Sequence, residues 1–378
     1  MQRSYDIDWL RTLIVITIIP FHAFIIFDQN PEAIMYVKDK MNVLAFNNIG
    51  GVLDRFNMAT LFLLSGITIY YSLQSRSAKE FISERFMKLF LPFLTGSVLL
   101  NPVMTYFWSM NQGKNESFTE HYIGFFTKNV GEFDGLNGGY TPAHLWFVLY
   151  LFIFSLIGLP FFLWLKSNKS EGIRSSLAAF FYKPMALCLL AVPYCFLYLI
   201  EILDEKNPIA YFYLILIGCI FASDARYIKA LNRDKWIYFT LSVIMFILFF
   251  RYKNINIENT FGIYSFAFIE KFLKIIPAYA LIGLFNCYIN KNSKFLKYLS
   301  TACYPIYVIH MVILTAIGFT VIPFNLSPYL KFFIIVVASY SACFLVYELL
   351  RRSKYAGILF GIRVKKQRSN TSSLKNIA

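Results

Sequence analysis

Asp8, Arg11 and His22 stand in an opening segment that is otherwise almost wholly apolar from Leu10 to Phe27. Placing an ionisable side chain in such a run costs roughly 2.5–3.5 kcal/mol, so residues of this kind point to a role that compensates for the cost. On an α-helix, Arg11 and His22 share a face about 16 Å apart along the axis. Asp8 falls on the same side, three residues before Arg11 and within pairing reach. A neutral imidazole accepts a proton at physiological pH, and a guanidinium grips phosphate or carboxylate through two parallel bonds. The stripe therefore reads as a site, with His22 as general base and His22, Arg11 and Asp8 as the candidate catalytic set. The bland alternatives are a histidine bonded across a helix interface and a topology-setting arginine paired with Asp8.

Other residues extend the pattern. Arg85 and Lys88 precede the third apolar stretch, one helical turn apart. With Arg11 they are candidate ligands for a polyanionic donor, or else ordinary cations of an inner membrane face. His144 and Trp146 open the fourth stretch and read equally as an outer-mouth sugar site and as part of an aromatic belt. Asp54 and Arg55 are adjacent, so they do not face each other and each should pair with another helix. Asp54 is a lesser candidate for acceptor binding. Counting rise per residue puts His22 and His310 in one layer, about 20 Å from the inner edge. His310 joins the acceptor-binding candidates, with a satisfied core histidine as its alternative. Glu201, Glu270 and Glu348 lie near span ends, where charge is cheap. No P-loop, GxSxG or HExxH pattern occurs. The six cysteines show no zinc spacing and read as free thiols, so no metal and no bound cofactor are expected.

The elements that position these residues follow from composition. The chain is 58% hydrophobic and 15% charged, far from the roughly 45–50% and 25% of soluble domains. An all-α, polytopic membrane bundle is implied. Ten apolar stretches lie near 9–27, 46–73, 89–108, 144–165, 185–202, 209–222, 236–250, 267–289, 299–322 and 329–350. With the N-terminus inside, Lys and Arg favour the inner side by about three to one. Both termini are then expected in the cytoplasm. The net charge of +15 follows from this loop asymmetry, and no nucleic acid partner is expected. Residues 109–142 read as a long hydrophilic outer loop. Residues 1–350 form the membrane domain, and 351–378 a basic, disordered cytoplasmic tail. Asp6 and Asp8 spoil a signal-peptide n-region, so the first stretch is expected to remain as a span.

Four motifs, in order, resemble the membrane-bound acyltransferase 3 family. They are Arg11 with His22 eleven positions on, Leu61-Phe62-Leu63-Leu64-Ser65-Gly66, His144-Leu145-Trp146-Phe147, and Tyr304-Pro305-Ile306-Tyr307 with His310. The Asp6-to-Arg11 start and the proline-bearing third stretch resemble the family's glucan-biosynthesis branch. The resemblance implies an O-acyltransferase of a bacterial inner membrane. It would move acetyl or succinyl from cytoplasmic acyl-CoA, as co-substrate, to a hydroxyl of an envelope glycan. It carries the essential base over to His22, and donor contact to Arg85 and Lys88, where Lys replaces the family's second Arg. Two other readings remain open at this stage. One is a transporter or flippase of glycan or lipid-linked sugar; the other is a non-catalytic scaffold of an envelope assembly.

Overall fold

The computed structural model describes residues 5–30, 33–128, 135–198, 200, 202–253 and 260–362. Glu201 and the tail from 363 onward lie outside them. Among the described residues there are helices and no strands. The order is α1 (Tyr5–Ile26), α2 (Leu44–Gln74), α3 (Ala78–Arg85), α4 (Leu91–Leu99), α5 (Asn101–Asn111), α6 (Phe118–Thr127), α7 (Trp146–Ile157) and α8 (Leu159–Lys166). There follow α9 (Glu171–Phe181), α10 (Ala191–Tyr198), α11 (Pro208–Ser223), α12 (Ala225–Tyr252), α13 (Thr260–Tyr288), α14 (Lys294–Val321), α15 (Pro328–Leu350) and α16 (Lys354–Leu359).

Each of the ten apolar stretches carries helix, but they differ in form. Among the described residues, six helical runs are long and apolar enough to cross a membrane, or up to eight spans if each of two bent pairs counts as one. The first pair, residues 143–166, bends by 57° and the second, 168–198, by 115°. Of the remaining two stretches, α11 has only 16 residues, and α13 carries Glu270, Lys271 and Lys274 in its middle. Two segments expected as hydrophilic are helical: α9 lies within the inner 166–183 connection, and α6 within the 109–142 loop. The tail begins as helix α16, and Phe360 and Ile362 pack on the core, so disorder does not begin at 351.

Two prolines shape the helices that carry the candidate residues. Pro20 lies inside α1 and cannot donate to the Ile16 carbonyl. The Tyr340 hydroxyl of α15 donates to that carbonyl instead, at 2.6 Å. The helix therefore continues to His22 without a bare buried acceptor. Pro92 acts at the other end, where residues Phe86–Phe90 open into a π turn just before α4. A missing N–H and a ring that crowds the carbonyl four residues back suffice to widen the helix there.

Packing has two large centres, beside a small third group around Met245, Phe249 and Leu273. One large apolar cluster is built mainly from α1, α2, α7, α11 and α13; a second joins α1, α14, α15 and the 35–46 segment. α2 and α11 touch backbone to backbone. A Cβ built on Gly66 would lie 2.1 Å from the Ile215 carbonyl, and one on Gly218 would lie 2.1 Å from the Leu63 carbonyl. The glycine closing the Leu61–Gly66 motif thus serves helix contact.

Candidate functional site

The two apolar clusters meet at three histidines. Ala143 belongs to the second cluster and Leu145 to the first, with His144 between them. Tyr307 and Val308 likewise belong to the first, Ile309 and Met311 to the second, with His310 at the junction. His22 reaches the same place from α1. Its ring centroid is 5.4 Å from that of His310, and His310 is 4.9 Å from His144. The layer shared by His22 and His310, computed from helical rise, is thus present in space.

His144 does not lie at an outer surface. It is only 8% exposed. Ala143 adopts a left-handed φ of 46°, and its N–H donates to the Thr141 hydroxyl at 2.9 Å. Asn101 of α5 in turn donates to the Thr141 carbonyl at 2.9 Å. This turn, costly for an alanine, drives His144 inward. Gly96 of α4 makes room: a Cβ there would meet Leu145 at 2.5 Å. His144 Nε2 then donates to the Val308 carbonyl at 3.0 Å, and the Tyr307 hydroxyl donates to the His144 carbonyl. His310 Nδ1 donates to the Tyr307 carbonyl at 2.6 Å. The opposite ring nitrogens, His144 Nδ1 and His310 Nε2, are buried without partners among the described residues, as is His22 Nδ1. Three rings cluster, yet among the described residues no group of His, Cys, Asp and Glu is arranged to hold a metal ion.

At the other end of α1, Arg11 pairs with Asp8 at 3.1 Å, as their spacing predicts, and remains 44% exposed. Arg85 and Lys88 have different partners. Lys88 is bound by Glu84, which also takes Arg76 at 3.0 Å. Lys88 itself lies in the π turn Phe86–Phe90, which begins directly after Arg85. Among the described residues the Arg85 side chain has no hydrogen bond or ion pair; its Nε is buried, and its guanidinium lies 4.6 Å from the Phe81 ring centroid. Arg174 of α9 donates to the Tyr70 hydroxyl at 3.2 Å at this same end.

Trp146 and Asp54 do not join the histidines. Trp146 packs in an aromatic group with Phe62, Tyr150 and Tyr211, at centroid distances of 5.9, 5.2 and 5.4 Å. It is 9% exposed, which leaves no open ring face for a sugar. Arg55 pairs with Glu270 of α13 at 2.6 Å, the cross-helix partner its position requires. Asp54 is exposed beside it. Next to this pair, Glu205 holds Lys271 at 3.2 Å and also Lys274. Burial would push the Glu205 carboxyl up, but the two ammonium groups outweigh it and hold it well below the usual range.

His121, the fourth histidine, was not singled out from the sequence. Its Nδ1 meets Glu116 at 2.8 Å and its Nε2 meets the Thr105 hydroxyl at 2.9 Å. The Ser109 hydroxyl also donates to Glu116, and this bond, together with His121, keeps that carboxyl below its ordinary value. Ser117 and Glu120 form a capping box at the start of α6. That Ser-x-x-Glu spacing was the available signal for an ordered α6.

The chain matches a protein family described as "Acyltransferase domain" over residues 4–348. Glucans biosynthesis protein C of Escherichia coli strain K12 is 22% identical over 177 residues, 46% of this chain and 43% of that protein. The proteins of the same name from strains SMS-3-5 and O1:K1 / APEC match to the same extent. The match thus spans less than half the length of these curated relatives. No solved structure matches the chain.

Proposed function

The chain belongs to this acyltransferase family, and from that premise we propose that it is a multi-pass membrane O-acyltransferase using cytoplasmic acyl-CoA. The acceptor is a hydroxyl of an envelope glycan. The names of the matched Escherichia coli proteins favour a glucan. The acyl group is acetyl or succinyl, the membrane is the bacterial inner membrane, and ten spans leave both termini in the cytoplasm.

The observation that carries this reading is the position of His22. It stands in a buried layer with two more histidines, at the far end of the helix whose first turns carry Arg11. CoA is a long polyanion with its thioester at the tip. Arg85, without an anionic partner of its own, and Arg11 suit its phosphates. Lys88 contributes only by exchanging Glu84 for phosphate. With the donor lying along α1, the thioester reaches His22. There His22 removes the acceptor hydroxyl proton as oxygen attacks the carbonyl carbon. The new C–O ester bond forms, the C–S bond breaks, and the departing thiolate receives the proton from the imidazolium. Asp8 steadies Arg11.

The test is transfer by the purified full chain in lipid nanodiscs, with acetyl-CoA or succinyl-CoA and extracted envelope glycan, read by glycan mass. His22→Ala should lower the rate by about 10²–10⁴, the usual contribution of a positioned base. Full transfer by the variant would refute this mechanism.

A further inference from the structure

Two of the three histidines present bare lone pairs, and their backbone contacts fix which nitrogen is bare. A carbonyl only accepts, so the nitrogen facing it must carry the proton. His144 is therefore the Nε2–H form, since Nε2 faces the Val308 carbonyl. His310 is the Nδ1–H form, since Nδ1 faces the Tyr307 carbonyl. A second proton on either ring would bury a cation, and among the described residues no carboxylate pairs with these rings. His144 Nδ1 and His310 Nε2 are thus acceptors, buried and unpartnered, on rings 8% and 1% exposed. No hydrogen bond joins the rings, although they stand 4.9 Å apart. Buried acceptors call for donors. The absence of a carboxylate makes a neutral hydroxyl a better match than an ammonium group.

We propose that His144 Nδ1 and His310 Nε2 each accept a hydrogen bond from a hydroxyl of the acyl acceptor other than the one acylated. The site would then select a polyol segment with neighbouring hydroxyls over a simple alcohol. The proposal rests on His22 being the base, and it gives these two histidines a recognition role.

Amide replacements separate this role from a structural one. His310→Asn keeps an N–H for the Tyr307 carbonyl and loses the outward acceptor; His310→Gln does the reverse. At His144 the pattern is crossed: Gln keeps the anchor to Val308, and Asn keeps the outward acceptor. Transfer to extracted envelope glycan should be near wild type in His310→Gln and His144→Asn. The apparent KM for glycan should rise about 3- to 10-fold in His310→Asn and His144→Gln, as for a lost neutral hydrogen bond. The opposite pattern, or a uniform response of all four, would overturn the proposal. Failure of the wild-type chain to consume acyl-CoA would instead strike the acyltransferase reading. A second measurement is independent of turnover: long-range proton–nitrogen spectra of histidine-labelled full chain in nanodiscs. They should show bare Nδ1 at His144 and bare Nε2 at His310. Either ring in the other tautomer, or doubly protonated, would also overturn the proposal.

Discussion

Whether a cation can hold a ligand depends on what already holds the cation. Lys88 and Arg85 lie three residues apart, yet Lys88 is engaged by Glu84, while Arg85 keeps a buried Nε without a partner. A phosphate meeting Arg85 gains a charge-assisted contact without breaking an existing pair, whereas one meeting Lys88 must first displace a carboxylate. Arg85→Met should therefore raise the KM for acyl-CoA by about 10-fold or more, in line with roughly 1.5–3 kcal/mol for a hydrogen bond to a charged group. Lys88→Met should change it by less than about 3-fold, the scale of an exposed ion pair. Steady-state kinetics on the two proteins decide the point, and equal effects would refute the assignment. The same residue-level accounting explains Tyr340. Its hydroxyl takes the carbonyl that Pro20 leaves free, so a proline close to His22 costs the helix no unsatisfied acceptor.

Helices place these residues, and the helices are held by close contacts that a linear reading cannot see. Gly66 and Gly218 bring α2 and α11 together with no room for a methyl group. Gly66→Ala should cost about 1–3 kcal/mol as overpacking, seen as a lower thermal unfolding midpoint in detergent. Gly66→Ala and Gly218→Ala combined should cost less than the sum of the two, because both relieve one clash by the same separation. Strict additivity would show that the helices do not respond as a pair. The motif ending at Gly66 was legible in the sequence, but its purpose was not, since the partner glycine lies some 150 residues away. The shared layer of His22 and His310 was legible because depth along a helix is arithmetic. The burial of His144 was not, because it depends on a left-handed Ala143 that no apolar pattern announces. That Lys88 and Arg85 have different partners was not legible, because Glu84 takes Lys88 while the Arg85 guanidinium lies over the Phe81 ring. Trp146 sat in a motif that suggested sugar stacking, and only the fold shows Phe62, Tyr150 and Tyr211 packed around it.

At the scale of the whole molecule, the proposed chemistry needs two ends facing different compartments. α1 carries Arg11 at one end and His22 toward the other, and the remaining elements follow that polarity. α2 returns to the Arg11 end, where Lys166 at the close of α8 donates to the Leu73 carbonyl at 2.6 Å. Asn286 near the end of α13 reaches Asp6 there at 2.8 Å. The connection after α5, with its Glu116–His121 pair, belongs to the opposite end. Lysine and arginine crowd the first of these ends, and the proposed orientation, which follows the positive-inside rule, puts that end in the cytoplasm. An acyl-CoA donor would enter from that side, while the histidine layer lies toward the other. Single-cysteine chains can test the arrangement, because the exposed Asn168 and Asn115 flank opposite ends and Cys287 is itself exposed. In intact cells a membrane-impermeant thiol reagent should label Asn115→Cys. Asn168→Cys and native Cys287 should react only after the membrane is opened. Labelling of Asn168→Cys in intact cells would place the arginine end outside. The donor could then not be cytoplasmic acyl-CoA, even with the histidine cluster unchanged.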